Sequence, residues 1–263
     1  FVNVKRFLED KPQVIFFGPP GTAKTFSARA LANCLAGDEQ RTKLVQFHAS
    51  YAYEDFVEGW RPQENGQFII KNGPLKEMAL KASKHPKETF VLVIDEINRA
   101  NLSKVLGELL FLLEYRGDTI SLQYSNREFT IPENLKIIGT MNTADRSIAL
   151  VDGALRRRFH FHELSPDKTP LKDLLTRWLL HTDQSDLLWI AELVDKANIK
   201  LGEIGEREMA IGPSHFMKNK LDEKIAEGIW NFSVYPYIED YFFDNPERIQ
   251  EFTFESLKSS LQS

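Results

Sequence analysis

Residues 14–25 read Val-Ile-Phe-Phe-Gly-Pro-Pro-Gly-Thr-Ala-Lys-Thr. The apolar run before Gly18 predicts a buried β-strand, and the amphipathic pattern after Lys24 predicts a helix. Between them, the sequence matches G-x-x-x-x-G-K-[ST], except that Ala23 stands where a glycine is expected. This pattern binds phosphate when it lies between a strand and a helix. We therefore predict a phosphate loop made of Gly18, Pro19, Pro20, Gly21, Thr22, Ala23, Lys24 and Thr25.

The residue types of this loop suit a nucleoside triphosphate. Gly18 and Gly21 allow backbone N–H groups to turn inward as an anion nest, and the following helix adds the positive end of its dipole. Lys24 can reach the β- and γ-phosphates, and Thr25 can ligate Mg²⁺. Ala23 is small, so we expect the loop to keep its path, with Ala23 avoiding a positive φ.

A second apolar run, Val91–Ile94, ends in two carboxylates, Asp95 and Glu96. Such a strand end is common by itself and gains its meaning from the phosphate loop upstream. We expect Asp95 to hold Mg²⁺, directly or through a water of the ion, together with Thr25. We expect Glu96 to act as the general base that polarises the attacking water.

Two further stretches carry polar residues after predicted strands. Asn142 follows the strand Leu135–Gly139 and is predicted to hold the attacking water or contact the γ-phosphate. The basic triplet Arg156–Arg158 has two interpretations, a solvated or carboxylate-pairing cluster and an arginine finger directed at a neighbouring subunit's nucleotide. We expect the triplet at the carboxyl-terminal rim of the sheet, just beyond Asn142.

The order of predicted elements indicates two domains. Apolar runs that predict strands alternate with helical patterns up to Leu164, which is typical of an α/β fold with a parallel sheet. The predicted strands are Val14–Gly18, Leu44–Phe47, Phe90–Ile94, Leu135–Gly139 and Phe159–Leu164, and predicted hairpins span 57–70 and 119–131. After residue 165 only helices are predicted, at 171–180, 187–199, 225–232 and 249–257. We therefore expect an α/β nucleotide-binding domain at 1–165 and a helical lid at 166–263.

Helical periodicity also predicts which faces are buried. Two helices should bury one apolar face each, formed by Phe26, Ala30, Leu31, Cys34 and Leu35 in the first and by Leu102, Val105, Leu106, Leu109, Leu110 and Leu113 in the second.

Composition gives weaker guidance. The net charge of −5 shows no global basic excess of the kind that marks a duplex-coating protein. The single cysteine, Cys34, is interpreted as a small buried helix residue and fits a reducing, cytoplasmic compartment. No apolar run reaches the roughly 20 residues that span a bilayer. Because the chain begins at Phe1 without a methionine, we expect a further domain upstream.

Four motifs together resemble the McrB family, the AAA+ GTPases of modification-dependent restriction systems. They are residues 18–25, 95–101 (Asp-Glu-Ile-Asn-Arg-Ala-Asn), 141–147 (Met-Asn-Thr-Ala-Asp-Arg-Ser) and 155–159 (Leu-Arg-Arg-Arg-Phe). The Met-Asn-Thr-Ala-Asp motif is the most specific. The Pro-Gly-Thr-Ala-Lys form of the phosphate loop also resembles MoxR-type ATPases, a chaperone group, whereas residues 95–99 and the motif around Asn142 do not.

The resemblance implies an AAA+ P-loop fold, Mg²⁺-dependent hydrolysis of GTP with ATP as the alternative nucleotide, and a hexameric ring. It also implies a McrC-like nuclease subunit as partner and DNA recognition through a domain missing from this chain. By the match, Asn142 and Asp145 belong to the catalytic site, and Arg157 or Arg158 is the finger that acts in trans. Residues 211–216 (Ile-Gly-Pro-Ser-His-Phe) stand where many AAA+ lids carry a sensor arginine, and they contain none. Lid sensing would then be weak or fall to Ser214 or His215, of which we expect His215 to be structural.

Overall fold

The computed structural model describes residues 2–144, 153–243 and 245–261. Its strands are β1 (Gln13–Gly18), β2 (Thr42–Gln46), β3 (Glu58–Pro62), β4 (Phe68–Asn72), β5 (Phe90–Asp95), β6 (Ile120–Ser121), β7 (Glu128–Phe129), β8 (Leu135–Asn142) and β9 (His160–Glu163). Its α-helices are α1 (Val2–Asp10), α2 (Lys24–Ala36), α3 (Tyr53–Phe56), α4 (Pro74–Lys84), α5 (Leu102–Leu106), α6 (Leu109–Glu114), α7 (Gly153–Arg158), α8 (Leu174–His181), α9 (Leu188–Glu203), α10 (Glu223–Ile229), α11 (Tyr235–Tyr241), α12 (Pro246–Gln250) and α13 (Phe254–Ser259).

The chain divides into two compact units. One unit contains residues 1–17 and 24–163, and the other contains residues 18–23 and 164–263. The first is the α/β unit and the second is the helical unit. The backbone of the phosphate loop, residues 18–23, thus belongs with the helical unit.

The α/β unit is built on a five-stranded parallel sheet with the order β2-β5-β8-β1-β9. The predicted strands are the strands of this sheet, so the predicted α/β fold is confirmed. The register of β5 on β8 pairs Ile94 with Gly139, which brings Asp95 beside Thr140 at the carboxyl edge. The register of a parallel sheet thereby sets which polar residues meet at that edge.

Helix α2 packs on β5 and β8 with small residues. Its buried residues include Ala28, Leu31, Ala32 and Ala36. The predicted face was wrong for Phe26, which is 74% exposed, and for Ala30 and Cys34, which are also exposed. Alanines allow the helix backbone to lie close to the sheet, so the buried stripe follows the small residues rather than the most apolar ones.

The second predicted face, from Leu102 to Leu113, is buried as expected apart from the partly buried Leu110. It is nevertheless divided between two short helices, α5 and α6. Gly107 separates them with φ +51°, a backbone conformation that favours glycine.

Two hairpins extend the α/β unit, as predicted. The first, β3–β4, reverses at Asn65-Gly66, and the second, β6–β7, reverses near Asn126. Glu58 at the start of the first hairpin is fully buried, pairs with Lys76 of α4 and accepts a hydrogen bond from the backbone N–H of Ser125 (2.8 Å) in the second. Burial alone would raise the pKa of Glu58, but these hydrogen bonds outweigh it and lower the pKa of this carboxyl. The carboxylate of Glu58 therefore connects both hairpins to helix α4.

The helical unit departs from prediction near its end. The helix expected at 249–257 is wrong, because α12 ends at Gln250 and α13 begins at Phe254. Thr253 caps α13, with its side-chain oxygen accepting from Ser256 N at 3.3 Å. A threonine cap competes with helix continuation, which accounts for the break.

We predict that Lys76→Ala lowers the free energy of unfolding by about 3–5 kcal/mol, because it leaves the carboxylate of Glu58 buried without its cation. Denaturant unfolding measures the effect, with Lys81→Ala as the matched control, since Lys81 is an exposed lysine on the same helix. Equal stabilities for the two variants would contradict a structural role for the pair.

Candidate nucleotide-binding site

The phosphate loop has a backbone that needs left-handed φ angles. Gly18 has φ +152° and Gly21 has φ +73°. At Gly18 a Cβ atom would also lie 2.2 Å from the carbonyl oxygen of Leu164, so only glycine fits there. Ala23 has φ +57°, and the expectation that it avoids a positive φ was therefore wrong. A left-handed alanine costs about 1–2 kcal/mol, so the loop carries strain that its surroundings must offset.

Lys24 opens helix α2 and is buried. Burial lowers the pKa of its ammonium group to about 8, and the nearby carboxylates of Glu96 and Asp95 partly offset that shift. A buried cation beside two carboxylates, at the first residue of a helix, is positioned to meet a phosphate group.

Asp95 joins three elements of the α/β unit through one carboxylate oxygen. Its Oδ1 accepts hydrogen bonds from Thr25 Oγ1 (2.6 Å) and from Thr140 Oγ1 (2.5 Å). Thr25 lies on α2, and Thr140 lies in β8. The two residues predicted to hold the metal ion are thus in direct contact.

These residues fit Mg²⁺. A threonine hydroxyl and an aspartate carboxylate are hard oxygen ligands of the type this ion prefers. Close by, Asn98 is hydrogen-bonded to the carbonyl of Asn142 (3.4 Å), while Asn98 Oδ1 and Thr143 Oγ1 are buried and have no hydrogen-bond partner among the described residues. Buried polar atoms normally have a hydrogen-bond partner, so these two oxygen atoms indicate room for an additional polar ligand at this edge.

Glu96 is held in a fixed position next to Asp95. Its Oε1 accepts from Asn142 Nδ2 (2.7 Å), its Oε2 lies 3.3 Å from Arg99 Nε, and its backbone N–H donates to Thr140 Oγ1 (3.2 Å). Its backbone is left-handed, with φ +53°. Strained backbone of this kind collects at functional sites, where contacts on several sides fix it.

The arginine run lies at the opposite edge of the sheet from these carboxylates. Strand β9 begins beside Val14, at the amino-terminal end of β1, and Arg158 is separated from β9 by one residue, Phe159. Asp95 and Asn142, by contrast, end β5 and β8, a separation of roughly 15 Å along a five-residue strand. The expectation that the run lies at the carboxyl-terminal rim was wrong, because the run shortly precedes β9, and β9, being parallel to β1, begins at the amino edge.

The two candidate finger arginines differ in their contacts. The side chain of Arg158 is only 10% exposed and lies 2.9 Å from Glu114 Oε2, whereas that of Arg157 is 63% exposed and lies 3.6 Å from the same oxygen. The guanidinium of Arg156 lies 6.0 Å from the centroid of the Phe161 ring. Arg158 is thus engaged within its own subunit, and Arg157 is the more accessible of the two.

Asp145 lies outside the described residues. Three residues near the carboxylates received no role from the sequence, namely Thr140, Asn98 and Arg99. Aligning the ends of β5 and β8 would have placed Thr140 beside Asp95, whereas the contacts of Asn98 and Arg99 depend on the 3₁₀ turn at Ile97–Arg99.

In the helical unit, the phosphate loop contacts residues 211–215. The N–H groups of Gly212 and Ser214 donate to the carbonyls of Pro20 and Gly21, both at 3.0 Å. The His215 ring lies against Gly21, and burial lowers the pKa of His215, with Lys218 adding to that effect.

Two family models and several known proteins resemble this chain. Residues 13–159 match the family model of the AAA domain (dynein-related subfamily), and residues 189–250 match that of the McrB alpha-helical lid domain. The chain is 40% identical over 272 residues to the type IV methyl-directed restriction enzyme EcoKMcrB subunit of Escherichia coli K12, covering 95% of this chain and 58% of that protein. It is 25% identical to the type II restriction enzyme BsuMI component YdiS of Bacillus subtilis 168, covering 88% of this chain and 80% of that protein. A cortactin-binding protein 2 from Echinops telfairi is 24% identical over 90% of this chain but only 15% of its own length.

The first family model covers more than half of the chain, and the second covers much of the helical unit. Among the described residues, no helix is both long and apolar enough to cross a membrane. The chain belongs to the AAA family, as a dynein-related AAA domain followed by a helical lid of the McrB type.

Proposed function

We propose that this chain is the GTP-hydrolysing motor of a modification-dependent DNA restriction system. One observation carries the proposal: Lys24, the Thr25–Asp95 pair and the Glu96–Asn142 pair meet at the carboxyl edge of one parallel sheet. These are the groups that bind phosphates, hold a metal ion and activate water. We further propose residues 1–165 as the nucleotide-binding domain and 166–263 as the lid.

Each residue has a defined part in the proposed reaction. The loop from Gly18 to Thr25 binds the phosphates, and Lys24 neutralises the β- and γ-phosphate oxygens. Glu96 accepts a proton from the attacking water, and Asn142 keeps its carboxylate oriented through the 2.7 Å hydrogen bond. Thr25 and Asp95 would hold Mg²⁺, which supplies charge stabilisation to the phosphoryl group. Asp145 is proposed as a further member of the site from its place in the Met-Asn-Thr-Ala-Asp motif.

An arginine supplied by a neighbouring subunit would complete the site. Arg157 lies at the amino edge of the sheet, separated from the carboxylates of its own subunit by roughly 15 Å along the strand direction alone, and therefore cannot serve them. A head-to-tail interface brings one edge of each subunit to the opposite edge of the next, and such contacts close into rings. We propose a hexameric ring, on the resemblance to the McrB family, with Arg157 as the finger in preference to the Glu114-paired Arg158.

The biological setting is proposed from the relatives. Two of them are named as components of restriction enzymes, one methyl-directed. Because the chain spans 58% of the length of the Escherichia coli relative, recognition of DNA is proposed to lie in a part outside this chain. A McrC-like nuclease subunit is the proposed partner, and the cytoplasm is the proposed location.

The guanine preference rests on the family resemblance. The residues described above would contact phosphates, a metal ion and water, and none of them has been assigned to the base. The alternative is a MoxR-like ATPase that remodels proteins, favoured by the Pro-Gly-Thr-Ala-Lys form of the loop.

Nucleotide titration tests the proposed function. We expect a fluorescent GTP analogue to bind in the presence of Mg²⁺ and to be displaced by GTP at a lower concentration than by ATP. Lys24→Ala is the control and should lose binding, because the loop loses its only lysine. Tighter displacement by ATP would support the MoxR-like alternative, and undiminished binding by Lys24→Ala would remove the loop from the site.

We predict that Glu96→Gln binds nucleotide normally but hydrolyses it about 10²–10⁴ times more slowly, because the amide keeps the shape and cannot accept the proton. Single-turnover hydrolysis measures the rate. Glu88→Gln, at an exposed carboxylate of the same unit, is the matched control and should leave the rate unchanged. A normal rate for Glu96→Gln would place the base elsewhere.

We predict that Arg157→Ala binds nucleotide but hydrolyses it about 10³–10⁵ times more slowly, because the missing charge acts on the neighbour's phosphates. Mixing this variant with Glu96→Gln should restore part of the activity, since some interfaces then pair an intact Glu96 with an intact Arg157. Arg156→Ala, at an exposed neighbour, is the control. If co-assembled mixtures show no recovery, Arg157 does not act in trans.

A further inference from the structure

A short segment of the helical unit grips the backbone of the phosphate loop. This docking segment consists of residues 211–216. The N–H of Gly212 donates to the carbonyl of Pro20, and the N–H of Ser214 donates to the carbonyl of Gly21, both at 3.0 Å. The contact is made by main-chain atoms on both sides, so it does not depend on long, flexible side chains.

The two backbones are also in close van der Waals contact. A Cβ atom added to Gly212 would lie 2.0 Å from the carbonyl carbon of Gly21. A Cβ atom added to Gly21 would lie 2.3 Å from Cδ2 and 2.5 Å from Nε2 of His215. Glycine is therefore required at both position 21 and position 212. At position 21, the His215 ring fills the space that a side chain would need.

The docking segment is itself held firmly in the helical unit. Asn198 of α9 accepts from Ile211 N (2.6 Å) and donates to Ile211 O (3.0 Å), pairing with that residue as another strand would. Phe216 is fully buried, and so nearly is Ile211. The segment is therefore a rigid support and not a loose loop.

The docking segment provides hydrogen-bond partners that the phosphate loop lacks within itself. In an anion nest the N–H groups turn toward the phosphates, so carbonyl groups turn away and need other partners. The docking segment supplies partners for two of them. It also lies against the residues that precede the left-handed Ala23, where a strained backbone needs surroundings that fix it.

We propose that His215 is a positioning residue for nucleotide binding. Together with the rest of the docking segment, it holds the phosphate loop in its binding conformation by contacting the loop carbonyl groups and Gly21. The helical unit would then set nucleotide affinity through the loop backbone, without a side chain of its own on the phosphates. This inference rests on the proposed function only in that the loop binds a nucleotide.

A double-mutant cycle on Gly21 and His215 tests the proposal. The dissociation constant of a fluorescent GTP analogue is measured for the unmodified chain, Gly21→Ala, His215→Ala and the double variant. We expect His215→Ala to weaken binding by about tenfold, equivalent to about 1.4 kcal/mol, with kcat at saturating GTP nearly unchanged. His181→Ala, at an exposed histidine of the same unit, is the matched control and should bind normally.

The cycle separates direct contact from a general loss of structure. Gly21→Ala should bind weakly because its Cβ meets the ring, and removing the ring should recover part of the loss. The double variant should then bind at least about threefold more tightly than the product of the two single effects predicts. Purely multiplicative effects, or normal binding by His215→Ala, would overturn the proposal. A loss of kcat without loss of affinity would overturn it as well.

Two controls keep the outcome interpretable. Thermal unfolding of each variant confirms that the helical unit remains folded, and His215→Ser replaces His215→Ala in the cycle if the alanine variant unfolds. If the unmodified chain binds neither GTP nor ATP, the proposed function fails and this inference falls with it. If the unmodified chain binds and the cycle shows no coupling, only this inference fails.

Discussion

The site depends on one carboxylate, that of Asp95. Its Oδ1 receives the hydroxyls of Thr25 and Thr140, so helix α2 and strands β5 and β8 are joined at one atom. Helix α2 also packs on β5 and β8, and the hydrogen bonds of Asp95 fix the first turn of α2 against the ends of those strands. The positions of Lys24 and Asn142 follow from these contacts, because each lies within two residues of one of the threonines.

Backbone strain occurs at the residue directly before Lys24 and at the residue directly after Asp95. Ala23 and Glu96 both have left-handed φ angles although neither is glycine. Each is held by contacts from several directions: Glu96 by Asn142, Arg99 and Thr140, and the loop before Ala23 by the docking segment. Strain that persists under such constraint is typical of sites arranged for binding and reaction rather than for stability alone.

Parallel strands also separate two kinds of charge. The carboxylates of Asp95 and Glu96 stand at the end of β5, whereas the arginines of α7 stand shortly before β9 begins. A sheet of short strands keeps these groups roughly 15 Å apart within a subunit. Opposite charges at opposite edges suit a head-to-tail arrangement, in which each edge serves a neighbour.

Local sequence patterns determined much of this protein. Runs of apolar residues fixed the five strands, Asn65-Gly66 fixed a hairpin turn, and the spacing from Gly18 to Thr25 marked the phosphate loop, because each depends on residues close together in the chain. Tertiary structure alone decided the rest. Four features depend on partners that are distant in sequence. They are the buried face of α2, the contact of Thr140 with Asp95, the pairing of Arg158 with Glu114, and the packing of His215 on Gly21. Register and close packing bring those partners together, and neither is encoded in any short stretch of residues.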